Sequence, residues 1–160
     1  MTAIISDCRR YRYRLDRELE TSGTKTIAFF GINPSTADAN IDDPTIRKMK
    51  GFASRQDGRS IIVGNIFAFR TPHVHELELV LDPSGPENRH HLEQIISEAD
   101  ILIPCWGGRQ KVPRPLWTYF DEMLELLQLS GKPVHCLGKT VSGDPKHPLY
   151  VPYTASLIQL

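Results

Sequence analysis

Short apolar runs, separated by longer mixed segments, are the main pattern along this chain of 160 residues. Four such runs, each too short for a helix, lie at residues 26–30, 60–67, 101–105 and 133–137. We interpret them as strands buried on both faces, as found inside a parallel sheet. An alternation of arginine with tyrosine over residues 11–15 predicts a further strand with a cationic face, placed at a sheet edge.

The segments between these runs predict helices over residues 44–55, 86–98 and 115–129. Asp43 followed by Pro44 is typical of an N-cap with proline in the first helical turn. Strands that alternate with helices imply βαβ units with right-handed crossovers. We therefore predict an α/β fold, a three-layer α/β/α sandwich with a mainly parallel central sheet, formed as a single domain over residues 1–160.

Composition narrows the classes of function. With 19 basic and 19 acidic residues the chain has no net charge, so it lacks a general electrostatic attraction to nucleic acids or membranes. No apolar run approaches the roughly 20 residues of a membrane span, and the N-terminus lacks a signal-peptide core. Cys8, Cys105 and Cys136 are far apart and fit buried thiols in a reducing compartment. We expect a cytoplasmic monomer without a membrane partner.

A turn carrying polar side chains follows the first apolar run at once. Gly31 lets the backbone turn, and Pro34 ends any ladder pairing. The polar residues delivered there are Asn33, Ser35, Thr36 and Asp38. Because open α/β sheets bind ligands at the carboxyl ends of their strands, we expect the chemistry of the protein at this edge.

Other predicted strands also end in unusual residues, so their ends would converge on one crevice. Asn65 interrupts an apolar run, and a buried amide is hydrogen-bonded either by the protein or by a ligand. Trp106 serves either core packing or stacking on a ligand. Asn33 either positions a water or a base edge, or stabilises its own loop as an Asx turn.

Histidines and aspartates raise the question of a metal. The six histidines match no zinc spacing, and Asp42 and Asp43 fit helix capping better than magnesium binding. We therefore predict neither a metal nor a cofactor. His147 differs from the other histidines because it precedes Pro148 in a tail that must fold back over the strand ends, where it suits a donor to a developing anion.

The order of these motifs resembles the uracil-DNA glycosylase superfamily over residues 26–150. Gly31-Ile32-Asn33-Pro34-Ser35 resembles its Gly-Ile-Asn-Pro-Gly motif, and Gly64-Asn65-Ile66 resembles a strand end whose Asn contacts the base. Pro104-Cys105-Trp106-Gly107 is similar to a strand ending in Leu-Leu-Trp-Gly. His147-Pro148-Leu149-Tyr150 partly matches a His-Pro-Ser-Pro loop that enters the minor groove.

This resemblance implies a glycosylase-like hydrolase that holds a uracil-like or modified base outside the stack and cleaves its N-glycosidic bond. Asn33 would position the attacking water, and His147 would stabilise the departing base. The base would be contacted by Gly31, Ile32, Pro34, Ser35, Asn65 and Trp106. DNA, or another ligand that contains a nucleobase, would be contacted by Arg12, Arg14, Arg70, Pro148 and Tyr150.

A closer resemblance, over nearly the whole chain, is to an uncharacterised bacterial and phage family, the domain of unknown function 1643. It is carried by residues 8–13, 33–38, 43–47 and 147–150. This family assigns no activity, so two alternatives stay open. One is a non-catalytic module that binds nucleic acid or a modified base, and the other is an enzyme that acts on a free nucleoside or nucleotide.

Overall fold

A computed structural model describes residues 2–35, 37 and 41–160 of the chain. Thr36 and Asp38, which we predicted to follow the first buried strand, lie outside the described residues. The strands are β1 Thr2–Ile5, β2 Arg12–Glu18, β3 Lys25–Gly31, β4 Gly58–Asn65, β5 Ile101–Pro104, β6 His135–Cys136 and β7 Ile158–Gln159. The helices are α1 Pro44–Ser54, α2 Asn88–Glu98 and α3 Thr118–Gln128. Short 3₁₀ turns lie at Val74–Leu79, Arg109–Lys111, Arg114–Leu116 and Pro148–Tyr150.

The central sheet is mixed and has the strand order β1-β2-β4-β3-β5. β3 pairs in parallel with β4 and with β5, whereas β2 pairs antiparallel with β4 and with β1. The predicted α/β class is confirmed, and the sheet is not purely parallel, since it has two parallel and two antiparallel strand pairings. The short connection between β1 and β2 explains one of the antiparallel pairings, because two strands joined by a tight turn pair in antiparallel fashion.

β2 is an interior strand and not the sheet edge that its arginines suggested, because β1 covers it. The pairing passes from Ile4–Arg14 to Ile5–Arg12 and leaves Tyr13 as the extra residue of a β-bulge. A bulge offsets the alternation of side chains between the two faces, so the residues on its two sides no longer follow one alternation. Arg12 thereby lies on the face of Ala37, whose carbonyl accepts a hydrogen bond from Arg12 Nη1.

Apolar side chains alternate along β3 and fill cores on both faces of the sheet. Ile27 and Phe29 pack in the cluster that includes the buried face of α1, and Ala28 and Phe30 pack in the cluster that includes α2 and α3. All four side chains are buried. Burial on both faces is what an unbroken apolar run predicts for a strand inside a sheet.

Asp43 caps α1 as predicted, since its Oδ1 accepts a hydrogen bond of 2.9 Å from the backbone N–H of Ile46. The predicted strand at 133–137 is largely wrong. Its Val134 forms one parallel bridge with Leu102 of β5, and β6 pairs antiparallel with β7. Pro133 has no N–H for a ladder, although its carbonyl accepts from Leu102.

The cysteines differ in environment. Cys105 and Cys136 are buried as predicted, and burial raises the pKa of the Cys105 thiol to about 12. Cys8 is exposed, in the connection between β1 and β2, so that part of the prediction is wrong. Within the described ranges, no helix has the length and apolarity needed to span a bilayer.

Gly64 provides a test of how tightly α2 packs on the sheet. A Cβ at this position would lie 2.9 Å from Leu92 Cδ2 and 3.1 Å from Ile95 Cδ1. We expect Gly64→Ala to lower the free energy of unfolding by about 1–3 kcal/mol, because the core would be overpacked. Urea denaturation measures the change, and Ser97→Ala on the exposed side of α2 is the control. Equal stability of the two variants would contradict this close packing.

Candidate active site

A cavity of about 350 Å³ lies at the carboxyl ends of the parallel strands, a size within the ordinary range of small-molecule sites. Nine of the residues predicted to serve the site line it. They are Arg12, Gly31, Ile32, Asn33, Ser35, Asn65, Trp106, His147 and Tyr150. The structure therefore brings together residues from five separate parts of the chain. The roles assigned to them stay predictions.

Strand register explains how the three strand ends meet. Gly31 pairs with Asn65, and the backbone N–H of Cys105 donates to the carbonyl of Phe30 over 2.9 Å. The residues that follow β3 and β5 and the last residue of β4 therefore reach the same level of the sheet. Asn88 is fully buried at the start of α2. It fixes the end of β4, because its Nδ2 donates to the backbone carbonyls of Asn65 and Ile66.

Asn33 is held in one orientation by the loop that follows β4. Its Nδ2 donates to the carbonyls of Pro34 (3.1 Å), Phe69 (3.4 Å) and Thr71 (2.7 Å). Three surrounding carbonyl oxygens fix the nitrogen end of the amide. Oδ1 therefore faces away from them and accepts no hydrogen bond from the described residues. Asn33 thus supports its loop and also lines the cavity as an acceptor.

Asn65 and Trp106 contribute buried donors. Their side chains are 5% and 1% exposed, and neither Asn65 Nδ2 nor Trp106 Nε1 has a hydrogen-bond partner within the described part of the chain. Trp106 also packs edge-on against Phe120, so it serves the core as well as the cavity. Buried donors without a partner are rare because each loses the hydrogen bond it made with water. Both residues line the cavity.

His147 reaches the cavity through a loop that is fixed to the end of β5. Gly107, with a φ of +79°, donates its backbone N–H to the carbonyl of Pro145. Arg109 donates through Nε to the buried carboxylate of Asp144 at 2.9 Å. These contacts hold the segment that precedes His147 against the strand end. An added Cβ at Gly107 would lie 3.3 Å from His147 Cβ, so the small residue permits this approach.

The protonation of His147 follows from its surroundings. Burial lowers the pKa of the imidazole, Lys111 lowers it further, and Asp43 opposes the shift. The neutral ring is therefore favoured near pH 7. Leu149 N–H donates to Nδ1 over 3.3 Å, so Nδ1 is the unprotonated nitrogen. Nε2 then carries the proton, and His147 is an uncharged donor.

Several lining residues were not predicted from the sequence as part of the site. They are Asp43, Thr45, Ile46, Met49, Val63, Pro72, Val74 and Lys111. Thr45 and Ile46 stand in the first turn of α1. The sequence places α1 directly after the polar turn that follows β3, and this order could have indicated that the first turn of α1 lies near the site. Lys111, Pro72 and Val74 lie in segments that connect the main strands and helices. The sequence of these segments has no periodic pattern, so their path could not be predicted.

Four predicted contact residues lie outside the cavity. Pro34 is buried, and its carbonyl accepts from Thr71 N–H. Arg14 is paired with Asp16 and Glu98 at 2.7 and 2.6 Å. Arg70 donates to the carbonyl of Arg9, and Pro148 is buried at the start of its 3₁₀ turn. Among the residues that the structure describes, no group of three or more His, Cys, Asp or Glu is arranged to hold a metal ion.

Comparison with known proteins identifies one family. Its sequence model, described as "Protein of unknown function (DUF1643)", matches residues 12–149. No curated protein and no solved structure gives a significant match to the chain.

The hydrogen bonds of Asn33 predict how substitutions at this position affect stability. We expect Asn33→Ala to lower the free energy of unfolding by about 1–3 kcal/mol, because the carbonyls of Phe69 and Thr71 lose a donor. Asn33→Asp should cost more at pH 7, because it turns a carboxylate towards carbonyl oxygens. Those oxygens raise the pKa of the introduced carboxyl, so the extra loss is full at neutral pH and shrinks as the pH falls.

Urea denaturation of both variants at pH 7 and at acidic pH measures these effects. Ser35→Ala, an exposed change in the same loop, is the control and should stay within about 0.5 kcal/mol of wild type. An Asn33→Asp variant as stable as Asn33→Ala at pH 7 would contradict the orientation of the amide.

The charges beside His147 predict opposite shifts of its pKa. Lys111→Gln removes a positive neighbour and should raise the pKa, whereas Asp43→Asn removes a negative neighbour and should lower it. NMR titration of the imidazole measures both, with Lys25→Gln at the far end of β3 as the control. Shifts of the same sign in the two variants would contradict the placement of His147 between these charges.

Proposed function

The chain belongs to the DUF1643 family of proteins of unknown function, and we propose that its cavity is the active site of a glycosylase-like hydrolase. The substrate is a uracil-like or modified nucleobase attached to a sugar. One observation carries the proposal: Asn33, Asn65, Trp106 and His147 line one cavity at the carboxyl ends of β3, β4 and β5. With it we propose the uracil-DNA glycosylase-like form of the α/β sandwich, which the packing of helices on both sheet faces supports.

The donors of the cavity suit a base with carbonyl groups. Asn65 Nδ2 and Trp106 Nε1 lack partners within the described residues, and a carbonyl oxygen is the acceptor that the keto edge of a uracil-like base offers. The apolar lining supplies contacts to the faces of a planar ring. Ile32, Ile46, Met49 and Val63 belong to that lining. A site built to hydrogen-bond its substrate rejects analogues that lack the matching groups.

Two further residues suit the bond-breaking step. Asn33 Oδ1 accepts a hydrogen bond from the attacking water and aims its oxygen at the sugar C1′. The C1′–N bond breaks with its electron pair moving to the base, the water oxygen bonds to C1′, and a water proton passes to solvent or to the released base. His147, as an uncharged Nε2 donor, stabilises the negative charge that develops on the base. A donor fixed in place before the bond breaks is an effective source of such stabilisation.

The test is a panel of single- and double-stranded oligonucleotides, nucleosides and nucleotides that carry uracil and modified bases, scored for free base and for abasic sites. On a substrate that reacts, we expect His147→Gln to slow base release by roughly a hundredfold or more. His90→Gln, at an exposed position of α2 outside the cavity, is the control and should react at the wild-type rate. A full rate in His147→Gln would contradict its role as the donor.

Asn65→Ala separates binding from turnover. This variant should lose base binding as well as base release, with a stability change of no more than about 1 kcal/mol, because Asn65 Nδ2 makes no hydrogen bond to a described residue that the protein could lose. Saturable base binding without release across the panel would instead favour a non-catalytic module that binds a modified base.

A further inference from the structure

The amino end of α1 faces the same cavity and leaves a backbone donor unused. α1 has 11 residues, and Pro44 at its first position has no N–H. The next N–H, of Thr45, donates to no described group, and Thr45 lines the cavity. Helix amino ends attract anions because their free N–H groups and the helix dipole both present positive charge.

Positive side chains belong to the lining of the same cavity. Lys111 lines it and forms no ion pair with a described residue, and its Nζ lies 5.2 Å from the centre of the Tyr150 ring. Arg12 lines it as a buried guanidinium. Asp43 is the one carboxylate among the described lining residues, and its Oδ1 is already engaged by Ile46 N–H. Lys111 is thus the lining cation that a bound anion can pair with.

Asn65 and Trp106 give an independent sign of a ligand. Both residues are more than nine-tenths buried, line this cavity and hold donors without partners within the described ranges. The strand side of the cavity therefore needs acceptors, and the helix side suits an anion. A planar base with carbonyl oxygens that is linked to a negatively charged group meets both needs.

We infer that the substrate of the proposed hydrolase is bound through a phosphate group at the amino end of α1. The phosphate oxygens accept from Thr45 N–H and from Lys111 Nζ, while the base lies against Asn65 and Trp106. This inference rests on the proposed function for the identity of the base, but the phosphate site can be tested alone. The phosphate belongs either to a free nucleotide or to the backbone of a nucleic-acid strand.

The first test titrates inorganic phosphate into the ¹⁵N-labelled protein at constant ionic strength, with chloride as the reference salt. We expect a saturable shift of the Thr45 amide resonance. Lys111→Gln should weaken phosphate binding by about tenfold, Lys111→Arg should restore most of it, and Lys25→Gln, remote from the cavity, should leave it unchanged. A Thr45 resonance that moves no more with phosphate than with chloride would overturn the inference.

The second test compares deoxyuridine, deoxyuridine 5′-monophosphate and a short single-stranded oligonucleotide with one deoxyuridine, by calorimetry. The nucleotide should bind about tenfold or more tightly than the nucleoside, and Lys111→Gln should remove that preference. Equal binding of nucleoside and nucleotide to the wild type would overturn the inference. Tighter binding of the nucleotide than of the oligonucleotide assigns the phosphate to a free nucleotide, and the reverse order assigns it to a strand.

The two proposals fail in different ways. Binding of the nucleotide with the predicted dependence on Lys111, but without release of any base, would support the phosphate site and refute the hydrolase. Base release that is equally efficient with and without a phosphate would support the hydrolase and refute the phosphate site.

Discussion

Parallel pairing of β3 with both of its neighbours is the constraint on which the rest of the structure depends. β3 is hydrogen-bonded along both edges, and its apolar side chains are buried on both faces. A strand in this position cannot slip by one residue, because every side chain would move to the opposite core. The pairing of Gly31 with Asn65 and of Phe30 with Pro104 is thereby fixed. The polar residues that follow these strands must then meet at one edge.

The sequence predicted the parts of the fold that depend on unbroken apolar runs. β3, β4, β5 and α1 were found where period and capping signals placed them. The position of β2 could not be predicted, since it depends on β1, a strand of four residues with partly exposed side chains. The run that contains Pro133 looked like another inner strand, but it contributes a single bridge to β5. The place of each of these segments in the sheet depends on the strand with which it pairs. The sequence of a strand does not identify that partner.

The same limit applies to the candidate site. Residues at strand ends were predicted to converge, because the carboxyl ends of parallel strands share one edge of the sheet. Lys111 and Asn88 were missed, since their importance arises from contacts made by loops and helix starts. Asn33 and Asn65 show a further limit. Both are asparagines at strand ends, but the amide nitrogen of Asn33 donates to backbone carbonyls, whereas that of Asn65 has no partner among the residues that the structure describes. Residue type alone does not show which end of an amide faces a ligand.

The carbonyls that surround Asn33 Nδ2 have a consequence for how this site could change over evolutionary time. The loop at residues 69–71 presents carbonyls to a donor, so an aspartate at position 33 lowers stability unless the path of that loop also changes. The effect of an aspartate at position 33 therefore depends on the path of this loop. Lineages with a loop of this shape should retain asparagine at position 33, and a lineage that carries aspartate should also differ at residues 69–71.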